Sequence, residues 1–168
     1  MFADSISLAP PLKQRPRVTP DRSNAGVQGF AGGTIMRTII GLRPVERLVA
    51  GDLLLDTRNR MVELRSIRKH HAAAGEIVSV EPSAFGLGFA PGRMDRALLV
   101  GAGQRLGICD WRTEILFSAP ALSPASSLVD GVNLHTAERP ALLYELVFAR
   151  DTILTADGMT TLISGSRP

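Results

Sequence analysis

"QGFAGGTIMRT", residues 28–38, carries a turn of small residues into a short apolar strand. Directly behind it, "IIGLRPVERLVAGDLLL" (residues 39–55) supplies a Gly turn, a Pro-Val-Glu-x-Leu segment ending on Gly51-Asp52, and a second apolar run. Glycine reaches backbone angles that other residues avoid, so short apolar runs between such turns read as strands. This is the grammar of a β-fold that presents one residue at its mouth. That residue is Gly29, which has no side chain.

The same grammar continues downstream. "VERLVAGDLLLDT" opens with enough residues for one helical turn, and Gly51-Asp52 marks a turn before the next strand. "MVELRSIRKHH" alternates, with Val62, Leu64 and Ile67 for a core and Glu63, Arg65 and Arg68 for water. "EIVSVEP" alternates as well. "RALLVGAGQRLGICD" is two apolar runs around "GAGQ", and "TEILFSAPAL" begins as a strand. "SLVDGVNLHTA" carries an Asp-Gly turn signal. "LLYELVFARDTILTADGMTTLIS" is two alternating runs around "ARD", with a second such turn at Asp157-Gly158. The pattern predicts eight to ten short strands, no helix beyond three turns, no fixed-period repeat, and an all-β fold.

Composition narrows the class. The 168 residues suit one domain, and 45% hydrophobic content suffices for a core. With only 5% aromatic residues that core must be aliphatic, and 16 Gly and 11 Pro favour turns over long helices. Residues 1–25 hold four prolines and little periodicity, so they read as a flexible Pro-rich segment ahead of a β domain at 26–168. They contain no uninterrupted apolar stretch after a basic start, hence no ordinary signal peptide. No run of about 18 apolar residues predicts a membrane span. Either a cytoplasmic location or export without a signal peptide fits. Net charge is +3, with seventeen of the 19 basic residues arginine. They are scattered, whereas a nucleic-acid surface concentrates them, so neither a nucleic-acid nor a membrane partner is expected. The single Cys109 excludes an internal disulfide framework.

Taken in order, these motifs resemble the Hint domain, the module shared by hedgehog autoprocessing domains and inteins, and in particular its stand-alone bacterial branch. That branch opens on Cys-Phe-x-x-Gly-Thr-x-Ile-x-Thr, which Gly29 to Thr38 parallels, and continues with Arg-Pro-Val-Glu-x-Leu-x-x-Gly-Asp, which Arg43 to Asp52 repeats. "DRALLVGAGQRLGI" is similar to its Arg-Asp-Leu-Leu-Val-Ser-Pro-x-His-Arg segment, and "YELVFARDTILTADG" to its last conserved stretch. The resemblance implies a compact horseshoe or disc of short strands with pseudo-twofold halves. It also implies a self-catalysed rearrangement of the peptide bond before the first residue. A Cys or Ser there attacks the preceding carbonyl. A Ser/Thr-x-x-His loop polarises the scissile amide and protonates its leaving nitrogen, a task that suits imidazole near neutral pH.

Carried over one at a time, the family's nucleophile falls on Gly29, the loop Ser on Gly101, the loop His on Gln104 and the late His on Asp151. Gln104 can hydrogen-bond but is neither acid nor base at neutral pH. The scaffold positions Thr34, Gly51, Asp52, Arg105 and Gly158 match. Random decay would strike scaffold and site alike, so the resemblance implies an inactive Hint-like domain used for structure or interaction, with no cofactor and an unidentified protein partner. Only about 28 residues precede the site, so almost no cargo is expected.

Two alternatives stay open. One is a still-active, self-cleaving domain whose nucleophile lies elsewhere, at Ser23 or Thr34. The other is an unrelated β-barrel that binds a small ligand. The remaining polar residues have plain readings. Cys109 is an apolar filler. His70 and His71 are neighbours on a strand and face opposite ways. His135 is a solvated loop residue, and Asp52 shapes a turn. Asp56 and Asp151 could work as an acid–base pair only if the fold joined them. "GLGFAPGR" lacks the Lys and Ser/Thr of a phosphate loop, so it reads as a mobile loop.

Overall fold

The computed structural model describes residues 26–82, 96–108 and 121–166. The segment 1–25, Cys109 and the "GLGFAPGR" loop lie outside the described residues, and so does the body of "TEILFSAPAL". The described chain is all β, as the sequence pattern predicts. Its fourteen strands are β1 (Phe30–Ala31), β2 (Ile35–Thr38), β3 (Gly41–Pro44), β4 (Leu53–Leu55), β5 (Met61–Glu63), β6 (Ser66–Ala72), β7 (Ile77–Val80), β8 (Leu98–Gly101), β9 (Arg105–Ile108), β10 (Ala121–Pro124), β11 (Leu134–Thr136), β12 (Ala141–Val147), β13 (Thr152–Ala156) and β14 (Met159–Ile163). The number exceeds the eight to ten expected because several pairings are only two to four residues long. The only helical turns among the described residues are single 3-10 turns at Val45–Arg47, Ala74–Glu76 and Ala125–Leu128.

The strands form two antiparallel sheets. One has six strands in the order β11-β7-β8-β1-β12-β6. The other has eight, ordered β10-β9-β14-β13-β2-β4-β5, with β3 paired to β2. The main core lies between them. Phe30, Val78, Val80, Leu98, Val100, Leu134 and Leu146 come from the first sheet, and Met36, Leu54, Leu106, Leu154, Met159 and Ile163 from the second. Each such side chain stabilises the fold by about 1.5–3 kcal/mol when fully buried. A smaller cluster of Ala72, Ile77 and Leu143 covers the other face of the six-stranded sheet. This explains one departure from expectation: all four residues of β7 are buried, because both faces of that strand are covered. The run "MVELRSIRKHH" is two strands rather than one. The chain leaves β5 at fully buried Leu64 and re-enters the other sheet at β6. His135 is not in a loop: it lies on β11 opposite Ser79, with Nε2 3.6 Å from Glu81.

Thr34 and Asp52, with the motif residues Glu46 and Asp157, tie turns to neighbouring strands. Glu46 Oε2 accepts the Gly33 N–H at 2.6 Å, and Thr34 donates its hydroxyl to the Ala31 carbonyl at 2.7 Å, which closes the β1–β2 turn. Asp52 Oδ2 accepts the Val49 N–H at 2.9 Å and lies 3.4 Å from Arg43, giving Asp52 the turn role the sequence suggests. Gly51 takes φ 93°, a conformation that favours glycine. Asp157 binds both backbone groups of Ile35: its Oδ1 accepts the Ile35 N–H at 2.7 Å and its own N–H donates to the Ile35 carbonyl at 2.9 Å.

Candidate functional site

Gly29 lies one residue before β1; Gly101 ends β8, and Ala102, Gly103 and Gln104 form the turn to β9. The fold brings these two stretches together. Residues 26–29 run alongside the turn as an extension of β1: Gly101 N–H donates to the Gly29 carbonyl and Gly103 N–H to the Val27 carbonyl, both at 2.9 Å. The approach is backbone on backbone. A Cβ on Gly101 would sit 2.1 Å from the Val27 oxygen, and one on Gly103 would sit 2.2 Å from the Gly26 oxygen. Both positions require glycine for this packing. Gly29 is buried at φ 119°, and a Cβ there would meet the Tyr144 carbonyl oxygen at 2.9 Å.

Gln104 is the hub of the site. It is 2% exposed, and its Oε1 accepts the Gly29 N–H at 3.2 Å. Its Nε2 donates to Thr161 Oγ1 at 2.8 Å and to the Leu162 carbonyl at 2.9 Å. The orientation of the amide follows from its partners. Thr161 Oγ1 donates its proton to the Arg105 carbonyl at 2.8 Å, so it can only accept from Gln104. The Leu162 carbonyl can only accept as well. Nε2 therefore faces β14, and Oε1 faces Gly29. Thr161 is the site residue that the sequence reading passes over. Its signal was present: on β14 the inward positions are Met159, Thr161 and Ile163, and a hydroxyl in a buried apolar row needs a partner.

Asp151 is not part of this contact. It is exposed, and its Oδ1 accepts the Gly165 N–H at 2.8 Å. It thereby anchors the segment 164–166. That segment forms one wall of a cleft of about 560 Å³, which Val27, Gln28, His70 and Glu145 also line. In the cleft Glu145 lies 3.7 Å from Arg68. His70 Nε2 is buried with no hydrogen-bond partner, while His71, on the opposite side of β6, is exposed.

Asp56 and Asp151 are held by different partners. Asp56, 4% exposed, receives Arg60 Nε at 2.7 Å and the Arg58 and Arg60 N–H groups at 2.8 Å each. Burial pushes its carboxyl up, but the hydrogen bonds from Arg60 and Arg58 and the Arg60 charge outweigh it and hold the pKa below the usual carboxylate value. Thr34, the alternative nucleophile within the described residues, is 3% exposed and spends its hydroxyl on the Ala31 carbonyl. Ser23 lies outside the described residues.

A family model described as the Hint domain matches residues 28–162. Among solved structures, a bacterial intein-like domain from Clostridium thermocellum superposes with a TM-score of 0.52 at 13% identity, covering 83% of this chain and 99% of that one. A splice-inactive variant of the AceL NrdHF class 3 split intein gives 0.51 at 10% identity, covering 84% and 100%. The gp41-1 intein gives 0.50 at 10% identity, covering 80% and 98%. At these identities the likeness is one of fold. No curated protein matches the chain.

Proposed function

Because the chain belongs to the Hint domain family, we propose that it keeps that family's scaffold without its peptide-bond rearrangement and serves as a structural or interaction module. One observation carries this reading: the Gly29 amide N–H is held by the Gln104 carboxamide at 3.2 Å. In the family's reaction that amide nitrogen must be protonated as it leaves, by an imidazole in the matched place. A carboxamide neither gives nor takes a proton at neutral pH; its oxygen accepts the Gly29 N–H and its NH2 group is committed to Thr161 and Leu162. Gly29 offers no nucleophile. The tight backbone packing of residues 26–29 on Gly101 and Gly103 further supports a fixed upstream segment rather than one set for transfer.

Family membership removes the basis for an unrelated ligand-binding barrel. The self-cleaving alternative needs another nucleophile, and the Thr34 hydroxyl is already engaged in its turn. Intact mass decides between the two readings. The purified chain, incubated with dithiothreitol or hydroxylamine, is expected to stay at full length. A fragment beginning at Gly29, or a new terminus nearby, would overturn the non-catalytic reading.

A further inference from the structure

The hairpin joining β2 to β3 turns on two residues, Ile39 and Ile40, which are 48% and 75% exposed. Two-residue turns favour Gly, Asn and Asp, and β-branched side chains there have no conformational advantage. Thr38 on β2 pairs with Leu54 on β4, and both are buried, so Arg37, Ile39, Leu53 and Leu55 share the outward face. Leu42 stands opposite Arg37 and Met61 opposite Leu55, at 57% and 66% exposed. A continuous apolar stripe therefore runs from the hairpin across β4 to β5, on the outside of the eight-stranded sheet. Isolated exposed apolar residues are ordinary, but a contiguous stripe marks a contact surface.

The charges around the stripe say what it accepts. The register places one of these strands' carboxylates on this face, Glu63 opposite Leu53, and it lies 3.9 Å from Arg65. The arginines are in excess. Arg58, in the turn between β4 and β5, is exposed with no carboxylate at ion-pair distance among the described residues. Arg37 Nη2 donates to Asn59 Oδ1 at 2.8 Å, a neutral partner that fixes the guanidinium within the stripe. A pre-oriented guanidinium suits a planar carboxylate.

We propose that this face docks a partner polypeptide that presents apolar side chains interleaved with carboxylates. A second copy of the chain fits poorly, because it would set arginine against arginine. The free edge of β3 contributes little backbone pairing, since Pro44 has no N–H to offer. Recognition therefore rests on the side chains. The proposal extends the interaction-module reading by giving its partner a chemistry.

The test uses the full chain and a fluorescein-labelled twelve-residue peptide alternating Leu and Glu, read by anisotropy. Peptides alternating Leu with Lys and Ser with Glu serve as controls. The Leu/Glu peptide is expected to bind at least tenfold more tightly than either control. Ile40→Asp, Met61→Asp and Arg37→Gln, each at an exposed or outward position, should each weaken it at least tenfold without changing the melting curve. Equal binding of all three peptides, or binding indifferent to the three substitutions, overturns the proposal. Three other results reassign the face and equally overturn it. Binding to vesicles of anionic phospholipid with no peptide binding gives it to a membrane. Dimerisation lost in Ile40→Asp gives it to a second copy. Peptide binding that appears only after deletion of residues 1–25 gives it to that segment. Intact mass on the same samples keeps the two readings separable: an uncleaved chain that binds no peptide loses this partner but not its non-catalytic assignment.

Discussion

A side chain at Gly29 would meet a different physical obstacle from one at Gly101, and that difference sets how the proposed non-catalytic reading can be tested by substitution. Gly29 sits at φ 119°, where any other residue is strained by about 1 kcal/mol or more, and its Cβ would meet a carbonyl oxygen at 2.9 Å. Gly101 has no such torsion, but its Cβ would sit 2.1 Å from the Val27 oxygen, so a side chain there must displace residues 26–28. Gln104→His is the mild change, because Gly29 N–H can donate to one ring nitrogen while the other donates to Leu162. Gly29→Cys with Gln104→His is therefore expected to fold, and to cleave slowly after residue 28 when thiol is added. Adding Gly101→Ser is expected to lower the melting temperature sharply and give no further rate. Intact mass and thermal melts on the three variants check this. Cleavage fastest in the triple variant would show that residues 26–28 move aside easily. Asp56 gives a second prediction at this scale. Its folded pKa lies below the unfolded value of about 3.9. Its contribution is therefore complete above about pH 5 and is lost as pH falls through 4 toward the folded pKa. Melting temperature against pH should fall on the acid side, and Asp56→Ala should flatten that fall while lowering stability at pH 7.

Within single elements, the alternation of a strand predicts which residues matter only when its neighbours are known. A pattern reading of "RALLVGAG" makes Leu99 a natural core residue, yet in β8 it is Leu98 and Val100 that enter the main core. Leu99 is only partly buried, against the smaller cluster on the other face. Leu98→Ala should therefore cost about 2–5 kcal/mol and Leu99→Ala clearly less, by urea denaturation of both. Equal losses would mean that the second cluster is as tightly packed as the first. Likewise, "GTIMRTI" reads as one strand, but β2 stops at Thr38 because Ile39 and Ile40 form the turn to β3. Nothing in the local propensity of isoleucine announces that turn. It is imposed by Gly41, at φ 119°, and by the Thr38 hydroxyl, which donates to the Gly41 carbonyl at 2.7 Å.

For the molecule as a whole, the strand order interleaves distant parts of the chain. β1 lies between β8 and β12, and β2 between β13 and β4. No contiguous half contains a complete sheet, and the main core draws on both sheets at once. Unfolding should therefore be a single cooperative step, with calorimetric and van't Hoff enthalpies equal. Two resolved transitions would show that one sheet persists without the other. Among the described residues no helix is long and apolar enough to cross a membrane.

What the sequence determined by itself was whatever acts within a few residues: the strands, the Asp-Gly turns, the role of Asp52, and the family order of motifs from Gly29 to Gly158. Such features depend on backbone torsions and on bonds between near neighbours, so they are written locally. The tertiary structure decided the rest. It joined Gly29 to Gln104 across 75 positions and Gln104 to Thr161 across 57. It set Gly101 against Val27, moved Asp151 away from that hub to Gly165, and placed His135 in a strand. Most of these contacts form only when strands distant in the chain are brought side by side, because the partners share no local pattern. Each buried polar group then takes whichever partner the closed fold sets beside it.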